Sequence, residues 1–522
     1  MTHTPISILT LSSKSAQQFL MSGAQYYGGE LPLYFNFSPM LQFVADKVGT
    51  DTYEGCQAGK NITEQRNLNF DFLLNKDSKY GIRPQTFTNP YMYYFLVREI
   101  CKDRNWRAVK ECFKQFARPH FSAPGIPVLP EQHESFHKST VILNWWAGME
   151  QHSIELAMQY RYMFVTDITN CYGTISHQSI IKALHREGTQ VETKSNAALG
   201  NFLATIFRDM QQGATIGIPQ GSTFYDLIAE LVLGYADLLL SEKIADRWNG
   251  QVDFEVVRYR DDYRVFANSK ELLEDISRML QDILESLHMR LNTQKTIITD
   301  CVIDKYAIKP DKLYYILNTP IENKRGRGVD FDGFAKHMMF ILMFGRKFPN
   351  SGQLKTLLGG YYNRLQWKLH SKKPLIIERV EPIISIALQL AIENTTCSHH
   401  ALRVISVLLS TLQPETSTRL IQIIRTRLLN ESHSEFNQIW LQNITFLQDE
   451  QIGTSPYPFA LCKVVNGEDI DLWNNTWLAS KYTKGFSSKM IVDYDQLRKL
   501  SPIIQFKERP AYNDGGNDAY SN

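Results

Sequence analysis

Two adjacent carboxylates, Asp261 and Asp262, stand between two short apolar runs in the middle of the chain. The runs 254–258 and 263–266 are rich in β-branched and aromatic residues, which predicts two strands of a tight hairpin. The acidic pair would lie at the hairpin tip, where its mutual repulsion is tolerable only if solvent or a cation screens it. An Asp-Asp pair in a turn is most often a solvated loop when nothing accompanies it.

A third carboxylate, Asp167, ends an earlier apolar run that begins at Tyr162. An apolar run that closes on an acid predicts a buried strand whose carboxylate emerges at its C-terminal end. If that strand neighbours the hairpin, carboxylates from two separate elements converge on one point. Such oxygen ligands are the ones that a hard divalent cation prefers. The alternative is that Asp167 caps a helix over residues 168–177.

A loop and a long helix separate these acids along the chain. Gly and Pro residues in the stretch 217–222, which contains Gln220 and Gly221, indicate a loop. The apolar spacing from Thr223 to Lys243 then predicts a helix. A strand ending in an acid, a Pro-Gln-Gly loop before a helix, and a Tyr-x-Asp-Asp hairpin therefore follow one another. In this order the set resembles the palm of a reverse transcriptase.

The resemblance implies nucleotide addition, an in-line phosphoryl transfer in which positioning and charge stabilisation dominate. Two Mg²⁺ ions, with Mn²⁺ as an alternative, activate the attacking oxygen and stabilise the leaving pyrophosphate in such enzymes. Asp167 and Asp261 are the expected metal ligands, with Asp262 as a supporting ligand. The implied activity is that of an RNA-directed DNA polymerase, which takes deoxynucleoside triphosphates, an RNA template and a DNA product.

The resemblance also assigns residues around the nucleotide. Tyr172 stands where the family carries an aromatic ring that leaves no room for a 2′-hydroxyl, and the alternative is an ordinary core tyrosine. Gln220 and Gly221 match the family's Pro-Gln-Gly loop beside the incoming nucleotide. Arg83 lies in the expected fingers and would meet phosphate.

Downstream of the hairpin, residues 270–288 predict an amphipathic helix and residues 290–296 predict a returning strand. Lys295 in that strand resembles the late-palm lysine proposed to protonate pyrophosphate as it leaves. The ordinary pKa of lysine, near 10.4, suits an acid beside a phosphate. The alternative is a solvated surface lysine.

Longer stretches of sequence narrow the resemblance to the bacterial abortive-infection and defence-associated reverse transcriptases, also called unknown-group reverse transcriptases. The stretches that carry it are Glu30–Phe37, Tyr80–Pro84, Asn89–Tyr91, Asp167–Gly173 and Ile175–Ile180. This resemblance covers roughly residues 25–300. It implies antiphage defence, a cognate non-coding RNA among the candidate templates, and a homo-oligomer.

Alternatives to this assignment stay open. A retron or group II intron-like reverse transcriptase is the rival of the same class, although those enzymes usually carry Ala where this chain has Arg260. A viral-type RNA-dependent RNA polymerase conflicts with the ring of Tyr172. An RNA-binding scaffold or toxin with a vestigial palm conflicts with the joint presence of Asp167, Asp261 and Lys295.

Length and composition suit a large globular enzyme. The 522 residues allow two or more domains, and the net charge of +2 favours no class of partner. The N-terminus lacks a signal-peptide pattern and no apolar run approaches the length of a membrane span, so a cytoplasmic bacterial protein without a membrane partner is expected. Seven cysteines without Cys-x-x-Cys spacing suit reduced thiols. Residues 397–400, Cys-Ser-His-His, hold potential zinc ligands but no second ligand cluster.

The predicted fold class is α+β, with reverse-transcriptase fingers and palm (an antiparallel sheet with helices) over residues 1–325. An all-α, helical-repeat-like domain over 326–508 is expected to replace the usual thumb, and a flexible tail over 509–522 follows. Helices are predicted at 331–344, 376–394, 401–412, 416–429 and 435–446. The basic loop 323–328 either tracks nucleic-acid phosphates or is a linker.

Relatives in the abortive-infection group attach their DNA to a tyrosine of the enzyme itself, because a tyrosine hydroxyl can replace a primer 3′-hydroxyl. Tyr512 and Tyr520 in the tail are the favoured candidates, since a mobile primer can retreat as the product grows. Tyr27 is the other candidate, because its distance from Tyr34 resembles the priming region of one branch of the group. The alternative is that Tyr27 packs beneath the fingers.

Overall fold

Two β-sheets and a series of α-helices form the part of the chain that the computed structural model describes, residues 6–76, 81–129, 149–185, 193–303, 310–318, 333–370, 380–452 and 455–506. The strands described are β1 (Phe70–Asn75), β2 (Ile82–Phe87), β3 (Phe121–Ser122), β4 (Tyr162–Asp167), β5 (Phe254–Tyr259), β6 (Asp262–Ala267) and β7 (Ile297–Thr299). Among the described residues up to 320, the helices include α1 (Ser13–Leu20), α2 (Gly23–Tyr26), α3 (Ser38–Val48), α4 (Pro90–Ile100), α5 (Asp103–Phe116), α6 (Cys171–Thr174), α7 (His177–Leu184), α8 (Thr193–Met210), α9 (Thr223–Trp248), α10 (Lys270–Ser286) and α11 (Pro310–Asn318).

The larger sheet has the strand order β3-β5-β6-β4-β7, with all neighbours antiparallel except β3 and β5. Its strands β4, β5 and β6 are almost wholly buried, as their near-continuous apolar and β-branched character predicts. Helices α9 and α10 pack together and close one face of this sheet with apolar side chains. The helix predicted from Thr223 is confirmed, and it continues past Lys243 to Trp248.

The smaller sheet is the antiparallel hairpin of β1 and β2, which belongs to the fingers region predicted from the sequence. Aromatic side chains line its inner face, where Phe72 and Phe87 pack at a ring-centroid distance of 5.5 Å. Asn89 ends the hairpin and caps α4 by accepting the backbone N–H groups of Tyr91 and Met92. The hairpin therefore connects directly to the buried helix α4.

The described residues between 333 and 452 are mostly helical. Its helices are α12 (Phe334–Lys347), α13 (Gly352–Leu369), α14 (Val380–Glu393), α15 (Ser398–Ser410), α16 (Pro414–Leu429) and α17 (Glu435–Ile452). Each contacts the next helix or the next but one, which is the pattern of stacked helical hairpins. The predicted all-α, repeat-like region is thus confirmed, and α13 is a helix that the sequence pattern did not predict.

Residues 455–506 leave the helical stack and return to the fingers. They contain the short helices α18 (Ala460–Val465), α19 (Ser480–Thr483) and α20 (Tyr494–Arg498). Trp477 is fully buried against Tyr53, and the indole N–H of Trp473 donates to the carbonyl of Phe87 at 2.9 Å. The last part of the predicted helical domain therefore covers the fingers, because its aromatic anchors find their partners there.

The predicted domain limits stay predictions. The boundary at residues 325 and 326, the basic loop 323–328 and the tail 509–522 lie outside the described residues. Among the described residues, no helix combines the length and the apolar character that crossing a membrane requires. All seven cysteines are free thiols, and six of them are buried.

Candidate active site and nucleotide cavity

The acidic pair lies where β5 turns into β6. Arg260 and Asp261 form a two-residue turn, and Asp262 is the first residue of β6. Arg260 has a φ of +53°, the left-handed region that costs a non-glycine residue about 1 kcal/mol or more. A side chain held in that conformation indicates that surrounding contacts over-determine the turn. The hairpin predicted from the flanking apolar runs is confirmed.

Strand pairing brings the third acid to the same place. Asp167 ends β4 directly opposite Asp262 on β6, and the N–H of Ile168 donates to the carbonyl of Asp261 at 3.1 Å. Residues directly opposite in an antiparallel pair present their side chains on the same face of the sheet. The predicted convergence of carboxylates from two elements is therefore what the register produces. Asp167 ends a strand and does not cap a helix over 168–177, because the next helix starts only at Cys171.

Among the described residues, only one of the two carboxylate oxygens of Asp167 has a hydrogen-bond partner. Its side chain is buried, and its Oδ2 accepts a hydrogen bond from the Lys295 ammonium at 2.5 Å. Its buried Oδ1 has no hydrogen-bond partner among the described residues. Partial burial lowers the pKa of Lys295, but the hydrogen bond and charge of Asp167 outweigh that effect and raise it above its ordinary value. Lys295 is therefore protonated beside the acids, with its own side chain mostly exposed.

The backbone around Lys295 differs from the strand predicted over residues 290–296. Residues 293–295 form a turn, and the strand that pairs with β4 starts only at Ile297. The predicted strand over 290–296 is therefore wrong. The reason is that Asn292 turns the chain, accepting the N–H of Lys295 through its backbone carbonyl at 3.0 Å. This turn, and not a strand, places the lysine over Asp167.

The surroundings of Asp261 disfavour its charged form. Burial raises the pKa of its carboxyl above the ordinary value, and the neighbouring Asp167 charge raises it further. Among the described residues the three acids do not close into a group whose ligand atoms all lie within 4.8 Å of one another. A buried carboxylate oxygen without a partner, beside like charges, suits a bound divalent cation, which supplies the missing positive charge. The donor set, all carboxylate oxygen, is the one that Mg²⁺ takes.

The side chain of Arg260 connects the hairpin to the predicted gate. Its guanidinium forms an ion pair with Asp226 on α9, with N–O distances of 3.3 and 3.1 Å. Asp226 also accepts a hydrogen bond of 2.6 Å from the hydroxyl of Tyr172, which is the second residue of α6. Burial and the Asp226 charge raise the pKa of Tyr172, so this hydroxyl stays a donor. The ring of Tyr172 is therefore fixed in two ways, by packing against the core and by the bond from its hydroxyl to Asp226.

Beneath the hairpin lies a fully paired charged group. Arg258, only 1% exposed, donates to Glu230 at 3.0 Å, to Asp237 at 2.8 Å and to the carbonyl of Arg260 at 3.2 Å. Tyr263 also donates to Asp237, at 2.9 Å. These bonds leave each carboxylate with a charged partner, as buried charges require. They also tie the β5–β6 turn to α9 from below.

A cavity of about 400 Å³ opens beside this network. Its lining brings together the predicted nucleotide-binding residues Arg83, Gln220 and Gly221, and it also includes Asp226 and Arg260. Arg83 is exposed, so its guanidinium is available to an anionic ligand. The structure thus places three of the four predicted nucleotide contacts at one cavity and links the fourth, the gate tyrosine, to it through the Asp226 ion pair.

Tyr27 also borders this cavity, but its ring is packed tightly. It lies against Phe87 and Phe37, and its hydroxyl is 3.3 Å from the side-chain oxygen of Gln85. Gly221 has a φ of +130°, and a Cβ there would meet the Tyr27 ring at 3.2 Å, so the position favours glycine. Burial raises the pKa of Tyr27 above its ordinary value. The other predicted priming residues, Tyr512 and Tyr520, lie outside the described residues.

Three buried acids of α9 escaped the sequence prediction although a signal for them exists. Asp226, Glu230 and Asp237 are spaced by four and seven residues, which puts them on one face of a helix. They are buried in a helix that is otherwise mostly apolar. Buried acids of this kind need cations, and Arg258 and Arg260 in the hairpin are the cations that meet them.

Comparison with known proteins assigns the class. Residues 96–316 match the family described as "Reverse transcriptase (RNA-dependent DNA polymerase)". The matched stretch contains all three acids of the hairpin region, together with the Pro-Gln-Gly loop and Lys295. The chain therefore carries a reverse transcriptase domain, and it is an RNA-directed DNA polymerase. Enzymes of this class use divalent metal ions and act on nucleic-acid templates.

Solved structures similar to the chain include telomerases. Telomerase from Candida albicans in complex with a fragment of telomeric RNA has 12% sequence identity, covers 74% of this chain and 68% of its own, and has a TM-score of 0.30. Apo telomerase from Candida tropicalis has 11% identity, covers 72% of each chain and has a TM-score of 0.32. No curated protein sequence matches the chain significantly.

Proposed function

We propose that the chain adds deoxynucleotides to a nucleic-acid 3′ end or to a tyrosine at the carboxylates of Asp167, Asp261 and Asp262. The register of β4 against β6 is the observation that supports this most, because it sets Asp167 opposite Asp262 and beside the turn. The buried, unpartnered Oδ1 of Asp167 adds to it. Two Mg²⁺ ions, or Mn²⁺ in their place, are the proposed cofactors, which would neutralise charge on the reacting phosphate oxygens.

The other residues act on the nucleotide and on the proton balance. Arg83 offers a guanidinium to the phosphates, and Gln220 with Gly221 forms the cavity wall against base and sugar. Lys295 holds a proton on Nζ next to Asp167, ready for the leaving pyrophosphate. The Tyr172 ring, positioned by Asp226, excludes a 2′-hydroxyl and so selects deoxynucleotides.

Single charge-neutralising variants test the proposed acids. Asp167→Asn and Asp261→Asn keep side-chain volume and remove the charge, so Mg²⁺-dependent primer extension should fall at least a thousandfold on RNA templates. Asp300→Asn, an exposed aspartate beyond β7, is the matched control and should keep full activity. Extension by either variant at the wild-type rate would rule out the acids as metal ligands.

Priming by the enzyme's own tyrosine is a separate part of the proposal. The candidates are Tyr512 and Tyr520 in the tail and Tyr27 at the cavity; the packed ring and raised pKa of Tyr27 favour the tail residues. Incubation with labelled deoxynucleotides but no primer, followed by nuclease treatment and a denaturing gel, should leave label on the protein. The double variant Tyr512→Phe, Tyr520→Phe should lose that label, and Tyr27→Phe should keep it. Retention of label by all three substitutions combined would exclude these priming sites.

We also propose that the polymerase serves antiphage defence in the bacterial cytoplasm, as a homo-oligomer with a cognate non-coding RNA. This rests on the motifs within residues 25–300 that resemble the abortive-infection group. Cells that express the chain from its native locus should plate phage less efficiently, and Asp261→Ala should restore plating. Full protection by the Asp261→Ala variant would instead support a scaffold or toxin without polymerase chemistry. Sequencing of copurified nucleic acid separates a cognate RNA from a retron-like or intron-like template, and light scattering of the purified chain reports the oligomer.

A further inference from the structure

A second cluster of potential metal ligands lies where the fingers meet the helical stack. It consists of Glu30, in the loop after α2, and of His399 and His400 in the first turn of α15. One ligand atom from each side chain lies within 4.8 Å of the other two. The His400 Nε2 is 3.9 Å from Glu30 Oε2, and the His399 Nε2 is in direct contact with the same oxygen.

The surroundings hold both imidazole rings in place. His399 stacks on Trp440 at a centroid distance of 5.4 Å with an interplanar angle of 25°, and Phe506 packs against both histidines. The side chains of His399 and His400 are 1% and 7% exposed. Ligand rings that cannot rotate away lose little entropy when they bind an ion.

We propose that Glu30, His399 and His400 bind one transition-metal ion of the Zn²⁺ class. Imidazole nitrogen with a carboxylate oxygen suits Zn²⁺, whereas the all-carboxylate donor set at the palm suits Mg²⁺. Three protein ligands leave one tetrahedral position open, as in many zinc sites that keep a water molecule. Glu30 and His399 both line the nucleotide cavity, so that position can face solvent. Glu30 is therefore the ligand from elsewhere in the chain that the stretch 397–400 lacked when the sequence alone was considered.

The proposed ion would connect the helical stack to the nucleotide cavity. Glu30 follows Gly28 closely, and the N–H of Gly28 donates to the carbonyl of Gly221 at 2.7 Å. An ion held by Glu30 and α15 would therefore hold this loop against the Pro-Gln-Gly loop. The ion would couple two regions that are far apart in sequence, without taking part in nucleotide addition.

A purely ionic cluster is the competing explanation. The ammonium of Lys355 lies 3.5 Å from Glu30 Oε2, so Lys355 and protonated histidines would neutralise the carboxylate without an ion. The two explanations differ in whether zinc is bound and in what Lys355→Gln does.

Zinc binding to the full-length chain tests the proposal directly. Chelator-treated protein, kept in excess Mg²⁺ to occupy the palm, is titrated with Zn²⁺ by calorimetry, and bound zinc is counted by mass spectrometry. One equivalent is expected in the wild type and in Asp167→Asn, which separates this site from the polymerase acids. Glu30→Gln, His399→Asn and His400→Asn should each weaken binding at least a hundredfold. His337→Asn, a buried histidine of α12, and Lys355→Gln should each retain it.

Measurements on the wild type alone guard against variants that fail to fold. Zn²⁺ should raise the melting temperature of the chelator-treated chain, and Co²⁺ should bind with visible bands of a four-coordinate nitrogen and oxygen site. Less than about a tenth of an equivalent of zinc in the wild type would overturn the proposal. So would full binding by the Glu30→Gln, His399→Asn double variant. A wild type without zinc in which Lys355→Gln lowers the melting temperature would establish the ionic cluster instead.

Discussion

Two charged clusters lie at the turn of the same hairpin, and they are built on opposite principles. The base cluster comprises Arg258 with Glu230 and Asp237, and both of its carboxylates are bonded to the arginine. The tip cluster comprises Asp167, Asp261, Asp262 and Lys295, and its ion pair joins Lys295 to Asp167. Burial raises the pKa values of Glu230, Asp237 and Asp261, but Arg258 opposes this rise at Glu230 and Asp237, whereas the charge of Asp167 adds to it at Asp261.

The difference indicates which cluster serves the fold and which serves the chemistry. A buried charge group that is complete within the protein holds the turn in position and needs nothing else. A group that lacks positive charge is costly to the folded chain until a ligand supplies that charge. The base cluster therefore supports the left-handed turn at Arg260, whereas the tip cluster is the site that we propose for cations and triphosphate.

The largest effect on stability is expected from breaking the base cluster. Arg258→Met leaves Glu230 and Asp237 buried without their cation, which should lower the free energy of unfolding by about 3–5 kcal/mol. Urea unfolding followed by tryptophan fluorescence measures this. Arg278→Met removes an exposed ion pair with Glu274 and, as the control, should cost no more than about 1 kcal/mol. If both variants unfold alike, the base cluster does not stabilise the hairpin.

A smaller effect is expected at the gate, as a change in substrate choice. Tyr172→Val removes the ring, so the ratio of ribonucleotide to deoxynucleotide incorporation should rise roughly 10- to 100-fold. Steady-state competition on one template measures the ratio. Tyr172→Phe is the matched comparison, since it keeps the ring and loses only the hydroxyl bonds to Asp226 and Arg260, so it should change the ratio far less than Tyr172→Val. An unchanged ratio in Tyr172→Val would make Tyr172 a packing residue.

Asp226→Asn should have a weaker version of the same effect. It keeps the volume of the side chain but removes the ion pair with Arg260 and weakens the bond to Tyr172, so discrimination should fall by about tenfold or less. When Asp226→Asn is combined with Tyr172→Phe, their effects on discrimination should not be additive, because both variants disturb the bond between Asp226 and the Tyr172 hydroxyl. Additive losses, or a change in overall rate without a change in the ratio, would contradict a positioning role for Asp226.

The smallest expected effect is a gain in stability at the tip cluster. The raised pKa of Asp261 means that the folded chain holds this proton to higher pH than the unfolded chain. Stability from this group is therefore present below the unfolded pKa and lost as pH rises through the folded pKa. Asp261→Asn, which carries no charge, should melt slightly higher than wild type at neutral pH in the absence of Mg²⁺. The gain should disappear at acidic pH, and Asp300→Asn should show none; a lower melting temperature in Asp261→Asn would contradict the raised pKa.

Local pattern alone was enough to predict the acids and the elements that carry them. Apolar and β-branched residues alternate or cluster in the runs around Asp261 and in the run ending at Asp167, which is typical of buried strands. Ser222 marks the start of the helix from Thr223. Short-range periodicity determined the type of each element, and the order of these elements along the chain carried the resemblance to a reverse-transcriptase palm. The strand predicted over residues 290–296 was wrong, because the chain turns after Asn292 although its residue types favour a strand.

Tertiary structure decided which distant charges meet. The acids at 226, 230 and 237 share a helix face in the sequence, but their pairing with Arg258 and Arg260 follows from how α9 packs under the hairpin. The meeting of Glu30 with α15, and the return of residues 455–506 to the fingers, join segments that no local periodicity relates. Side-chain spacing reports the face that a residue occupies, whereas its partner depends on long-range packing of buried surface, which a single sequence does not specify.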